Sequence, residues 1–266
     1  MTEAFDLPAY LARIGWLESD VRTLEQLSGL MRAHMAAIPF ENLDVLLGRP
    51  IRLDPASLQS KLVHARRGGY CFEHTTLMAA ALQQLGVKPK HHSARVVLIT
   101  PRPVSPRTHM FLTVKIDGQT YVVDPGFGSI GPSGPVLLGG DASPQAGHVM
   151  AREGNGWVLR ARRADGWADA WVSDLEESPP IDFEVSNHFT ATHPSSPFVN
   201  RLMLRALIPG GYVGVMNQTV TTHLGGTALT SELGNRAALR ALLVARFGFD
   251  LPEVERLRVP MIPDWT

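Results

Sequence analysis

The sequence predicts an α+β protein in three parts: a helical stretch over residues 1–90, a β-rich stretch over 91–186 and a mixed stretch over 187–266. Three observations predict it. Apolar residues recur at helical spacing before residue 90. The period then changes to that of strands. Beyond about Asn187, strand-like runs surround a Pro-Gly-Gly turn and one further helix follows.

In the first part, Thr23 followed three residues later by Gln26 fits a reciprocal cap at a helix start. Leu24, Leu27, Leu30, Met31 and Met35 recur at helical spacing until Pro39 stops the pattern. A second helix begins near Cys71, with Leu77, Met78, Ala81, Leu82 and Leu85 in one stripe. Gly86 stands where a left-handed C-terminal cap falls. After residue 90, SARVVLIT, MFLTVKI and QTYVVD have strand character, and the last two flank Asp117-Gly118, a strong hairpin signal. The chain is dense in Gly and Pro from Pro125 to about residue 147, and WVLRARR and WADAWVSDL continue the strand-and-turn texture to Pro179-Pro180. In the last part RLMLRALI and GYVGVMNQTVTTHL surround Pro209-Gly210-Gly211. A helix over about Asn235 to Phe247 is closed by Gly248.

Composition bounds the function. With 266 residues, 44% hydrophobic and 19% charged, the chain is an ordinary globular protein able to bury a core. Twenty-five basic and 25 acidic residues, without a basic block, argue against a nucleic-acid partner. The single cysteine excludes an internal disulfide and a CxxC redox pair, and points to a reducing compartment. No leader-like apolar segment opens the chain and no apolar run approaches the ~18 residues of a membrane span. A cytoplasmic protein without membrane contact is therefore expected. His91 with His92, and His188 with His193, lack metal-ligand spacing, so no metal is expected. No GxxxxGK[ST] loop is present. No heptad is legible, which leaves a homo-oligomer open.

The chemistry concentrates in Arg66-Arg67-Gly68-Gly69-Tyr70-Cys71-Phe72-Glu73-His74. A thiol at the first turn of a helix faces backbone N–H groups and the positive end of the helix dipole, which favour thiolate, and the two glycines let backbone approach it. Such a nucleophile needs a base and an orienter. If Asp117-Gly118 is a two-residue turn, Phe111 faces Asp124 and His109 faces Gly126. His109 and Asp124 are then diagonal neighbours on one face, ~7–8 Å apart along the backbone and within side-chain reach. Cys71, His109 and Asp124 have the roles of a cysteine triad.

Here the sequence resembles the arylamine N-acetyltransferases. The matching segments are Ile38-Pro39-Phe40-Glu41-Asn42-Leu43, Arg67-Gly68-Gly69-Tyr70-Cys71-Phe72-Glu73-His74, Arg107-Thr108-His109, Val123-Asp124 and Gly126-Phe127-Gly128, with Thr192-His193-Pro194-Ser195-Ser196-Pro197-Phe198 matched more loosely. Thr75 stands where Asn usually follows the His, and Pro125 where Val usually follows the Asp. The resemblance implies a helical bundle, a central β-barrel and a C-terminal α/β lid around a cysteine-protease-like Cys-His-Asp core. It implies ping-pong transfer from acetyl-CoA through a Cys71 thioester to an aromatic amine or hydrazine, as in xenobiotic metabolism. It further implies that Phe40 and Phe127 wall the acceptor pocket, that Thr108, Gly126 and Gly128 lie against the acetyl or pantetheine portion of the donor, and that Arg67 and Glu41 form a bracing ion pair.

Two other readings use the same residues. A thiol hydrolase of the papain or transglutaminase kind has the same order of Cys, His and Asp and needs no CoA. A non-enzymatic binding module keeps the fold with an inert thiol, which slow alkylation of Cys71 at mildly acidic pH distinguishes.

Overall fold

Local signals in the sequence translate into helix ends. In the computed structural model, which describes residues 5–98, 100–128, 130–139 and 147–265, Thr23 and Gln26 cap each other at the start of a helix. Residue 99 of the SARVVLIT run, and residues 129 and 140–146 of the Gly- and Pro-rich run, lie outside the described residues.

The first part holds α1 (Leu7–Ile14), α2 (Leu24–Ala37), the two-residue strand β1 (Phe40–Glu41) and the short helices α3 (Leu43–Leu46) and α4 (Pro55–Leu58). Wider helical turns prolong α4 to His64, and α5 (Cys71–Gln84) follows. The apolar stripes of α2 and α5 meet in one core through Leu27, Leu30, Met31, Leu77, Met78 and Leu82. That core continues onto the outward faces of Leu112, Val114 and Val123, so the helices are seated on the middle sheet.

The middle sheet comprises β2 (Lys90–Val96), β3 (Arg107–Ile116), β4 (Gln119–Val123), β5 (Val136–Leu137), β6 (His148–Glu153), β7 (Gly156–Arg163) and β8 (Gly166–Ser173). Its order is β5-β4-β3-β2-β8-β7-β6, and β5 approaches β6, so the sheet is nearly closed into a barrel. Asp117 and Gly118 both have positive φ, as a two-residue hairpin turn requires, and Leu112 faces Val123 in the register that turn sets. Inside the barrel pack Phe111, Val122, Phe127, Met150, Leu159 and Trp171.

Where the sequence shows only strand-and-turn texture ending in Pro179-Pro180, the structure adds a helix, α6 (Pro180–Thr192). Its buried face is Phe183, Asn187 and Thr190 while Ile181 and Val185 point outward, which blurs the apolar stripe. Pro180 at the first helical position is the signal that marks it.

After α7 (Pro197–Asn200) come β9 (Met203–Ile208), β10 (Gly211–Met216), β11 (Thr219–Leu224) and β12 (Thr227–Glu232). Then α8 (Arg236–Leu242) is capped by Asn235, and its wider turns to Phe247 end at Gly248 in the left-handed region. The second sheet runs β1-β9-β10-β11-β12. Its first member comes from the helical part of the chain: Phe40 faces Arg205 and Glu41 faces Leu204. The architecture is α+β. Among the described residues no helix is long and apolar enough to cross a membrane.

Candidate active site

Cys71 is the first residue of α5, after Tyr70 in extended backbone, and only 3% of it is exposed. Glu73 reaches back to accept the Tyr70 N–H at 3.1 Å, which ties off the helix start. The backbone leading to the thiol is crowded: a β-carbon on Gly68 would stand 2.1 Å from the Pro39 carbonyl oxygen.

The thiol donates to the Thr108 carbonyl at 3.8 Å. That carbonyl is available because β3 is irregular there. Ala94 of β2 faces His109 while Arg95 faces Arg107, so Thr108 is an extra residue opposed by nothing. The same irregularity delivers His109 to the interior. Its Nε2 meets the Asp124 Oδ2 at 2.9 Å, with both side chains buried. The Cys71 sulfur is also within hydrogen-bonding reach of the ring, which leaves Nδ1 for the thiol. Burial opposes charge on His109, but the Asp124 carboxylate outweighs it, with help from the Cys71 sulfur, and lifts the ring's pKa to about 10.

Aromatic packing fixes the ring. The edge of Phe127 meets His109 at 5.0 Å between centroids, and Phe111 lies nearly parallel to it at 6.4 Å. Gly126 and Gly128 flank Phe127. A β-carbon on Gly128, at φ +78°, would lie 2.9 Å from the Phe40 ring. Phe40 packs against Phe198 at 6.2 Å, and Phe198 against Tyr70 at 5.2 Å. The Arg205 guanidinium, stacked over Tyr212 at 4.3 Å, donates to the Gly128 carbonyl. Cys71, Thr108, His109, Asp124, Gly126 and Phe127 thus converge on one locus, with Phe40 and Gly128 in contact beside it.

Behind the Cys71 loop lies a buried charge network. Arg67 donates twice to the Glu41 Oε1, at 2.7 and 3.1 Å, and once to Asp44 at 3.2 Å. Lys61 bridges Asp44 and Glu73, each at 2.8 Å. Burial raises the Asp44 pKa, but Lys61 and Arg67 more than offset this and hold it at about 2.

Several contacts are invisible in the sequence. Trp171 donates from its indole nitrogen to Asp124 Oδ2 at 3.0 Å, and nothing in WADAWVSDL singles it out. Tyr70 donates its hydroxyl to Asn187 of α6. Thr75 donates to the Met110 carbonyl at 3.0 Å, so the residue that stands in place of Asn ties α5 to β3. Pro125 stands two residues beyond the end of β4, where its missing N–H falls outside the ladder. Phe198 is marked only by the Pro-Ser-Ser-Pro-Phe resemblance.

A buried chain of donors also runs from Tyr10 to the Pro39 carbonyl. Tyr10 meets His34 Nδ1 at 2.9 Å, His34 Nε2 meets His74 Nδ1 at 2.9 Å, and His74 Nε2 meets the Pro39 carbonyl at 3.2 Å. A carbonyl only accepts, so His74 carries its proton on Nε2, His34 donates to His74, and Tyr10 donates to His34. Burial holds His34 well below its ordinary range and His74 at about 4, so both rings are neutral.

Among the described residues, no group of three or more His, Cys, Asp or Glu is arranged to hold a metal ion. His91 and His92 instead pack on Phe183 and Phe111.

Residues 23–256 match a family model described as an N-acetyltransferase. The chain is 36% identical over 259 residues to an arylamine N-acetyltransferase of Mycobacterium tuberculosis, covering 94% of this chain and 92% of the relative. It is 35% identical over 251 residues to one of Escherichia coli, covering 92% of this chain and 89% of that relative. A structure of the Mycobacterium marinum arylamine N-acetyltransferase in complex with CoA superposes with a TM-score of 0.88 at 35% identity, covering 94% of both chains.

Proposed function

The chain belongs to the arylamine N-acetyltransferase family, and on that premise we propose that Cys71, His109 and Asp124 transfer acetyl from acetyl-CoA to an aromatic amine or hydrazine in two steps. The observation that carries this reading is His109 held between a buried carboxylate at 2.9 Å and the thiol at the start of α5.

With the Cys71 proton held on His109, the thiolate attacks the acetyl carbonyl carbon. The carbonyl oxygen carries the charge in the tetrahedral state, and the first-turn N–H groups of α5, that of Cys71 included, are the donors placed for it. The bond to CoA sulfur breaks, and CoA leaves with the proton from His109. The amine then attacks the Cys71 thioester and gives its proton to His109. Breakage of the C–S bond restores the thiolate beside a protonated ring. Asp124 fixes the ring and stabilises its charged form. A thioester exchange followed by aminolysis suits a weakly nucleophilic aniline nitrogen, which never has to displace CoA directly.

The remaining assignments follow the contacts. Phe127, the edge neighbour of His109, and Phe40, seated on Phe198, present the stacking faces an aryl acceptor needs. We assign Thr108, Gly126 and Gly128 to the donor's acetyl and pantetheine portion. Arg67 and Glu41 brace the nucleophile loop. The helical part to residue 90 presents the nucleophile, the part to residue 186 presents His and Asp, and the part from residue 187 covers the site as a lid, in a protein that works in the cytoplasm without a metal.

Intact mass tests the reading. Wild-type protein mixed with acetyl-CoA gains one acetyl group, at Cys71, and loses it on addition of an aromatic amine, while Cys71→Ala gains none. No adduct on folded protein with a rapidly alkylated Cys71 overturns it for a thiol hydrolase; a slowly alkylated thiol overturns it for a binding module.

A further inference from the structure

We infer that Trp171 is a positioning residue for acyl transfer, whose indole N–H holds the Asp124 carboxylate in the one orientation that meets His109. The inference rests on the roles just assigned to Cys71, His109 and Asp124.

Asp124 is fully buried, and both of its recorded hydrogen bonds fall on Oδ2: His109 Nε2 at 2.9 Å and Trp171 Nε1 at 3.0 Å. Oδ1 is buried with no hydrogen-bond partner among the described residues. A carboxylate removed from water depends on the donors that replace its hydration. Here one donor is the ring that must exchange protons during the reaction. The indole is the donor that stays. It keeps Oδ2 directed at His109 in each protonation state of the imidazole, and it prevents the carboxylate from turning the unpartnered Oδ1 inward.

The indole is itself immobilised. Trp171 is fully buried, stacked on Phe111 at 4.3 Å and 25°. A second sheet irregularity sets its direction. Leu159 faces Trp171 while Arg160 faces Asp169, so Ala170 is the extra residue, and its carbonyl accepts the Val97 N–H at 3.0 Å. A tryptophan that served only to fill space would not need its nitrogen aimed at a charge. The contrast is within the protein: the buried indole nitrogens of Trp16 and Trp265 have no hydrogen-bond partner among the described residues.

The first test is a resonance. In enzyme labelled with ¹⁵N-tryptophan, Asp124→Asn keeps the shape of the site but removes the charge, and the expected result is that one of the five indole N–H signals moves strongly. If none moves, the bond is absent and the inference is overturned, whatever the activity. The second test is Trp171→Phe, which keeps a stacking ring and removes only the donor. The expected result is acetylation of Cys71 slowed about tenfold to a hundredfold, the range of a hydrogen bond to a charged group. Half-saturation by acetyl-CoA stays within about twofold. A folded Trp171→Phe enzyme that acetylates at the wild-type rate overturns the inference, and where this variant does not fold the resonance decides. The wild-type acetyl adduct at Cys71 is measured alongside: its absence overturns the assigned roles and this inference together, whereas its presence with an unaffected Trp171→Phe overturns this inference alone.

Discussion

A β-carbon on Gly126 would stand 2.6 Å from the α-carbon of Cys71 and 3.1 Å from the His74 β-carbon. The turn after the orienting carboxylate and the start of the nucleophile helix are therefore in backbone contact, and neither neighbour is the movable tip of a side chain. Gly126→Ala forces the two apart, at an expected cost of about 1–3 kcal/mol in stability. Displacement of the thiol by about 1 Å slows acetylation by about a hundredfold. Calorimetry and single-turnover CoA release measure the two effects, and a variant with wild-type values for both contradicts this account of the contact.

Asp124→Asn preserves volume and one acceptor oxygen but removes the charge that lifts the His109 pKa to about 10. Formation of the acetyl-enzyme is expected to slow by about a thousandfold or more, as loss of an orienting carboxylate does in triads of this kind. Rapid-quench mass measurement of the adduct reads this directly. A rate within tenfold of wild type would remove Asp124 from the mechanism.

Acid should loosen the helical part before it alters the barrel. His34 and His74 are held neutral when folded, with His74 at about 4, whereas in the unfolded chain each takes up a proton below about 6.5. The unfolded state then binds more protons, so stability falls as the pH drops from about 6.5 toward 4, by up to ~1.4 kcal/mol per pH unit for each ring. His109 acts in the opposite sense. Its contribution is complete below about 6.5 and is lost as the pH rises toward about 10. Urea midpoints between pH 4.5 and 9.5 should trace a dome with both limbs, and a flat acid limb would show that the two rings titrate alike in the folded and unfolded chain.

Glu41→Gln leaves Arg67 facing an amide in a site where only 8% of its side chain is exposed. Breaking a buried pair costs about 3–5 kcal/mol, and Asp44, still 3.2 Å from the guanidinium, reduces the expected loss to about 2–3 kcal/mol. Replacing both partners by apolar residues, Glu41→Leu with Arg67→Met, should recover part of it. Denaturant unfolding of the two variants measures the difference, and a double variant no more stable than the single one contradicts the assignment.

Much of the site is legible because its geometry is local. Thr23 and Gln26 announce a helix by their spacing, and the positive φ available at Asp117 and Gly118 sets a hairpin register that brings Asp124 to His109 without any distant contact. Other features depend on pairings between distant segments. Trp171 reaches Asp124 only because β8 lies beside β2 and is irregular at Ala170. Thr108 offers its carbonyl only because β3 slips against β2. Helix α6 buries Asn187 and Thr190 beside Phe183, partners that no periodic apolar pattern marks.

The pairing of β1 with β9 also bears on how the protein is made. Phe40 and Glu41 find their strand partners in Arg205 and Leu204, so a chain still emerging from the ribosome has Cys71, His109 and Asp124 long before β1 is seated. Until that late strand arrives, the Phe40 edge has no sheet to join. A message cut short before residue 203 would yield a product carrying Cys71, His109 and Asp124 but lacking the strand that pairs with Phe40 and Glu41.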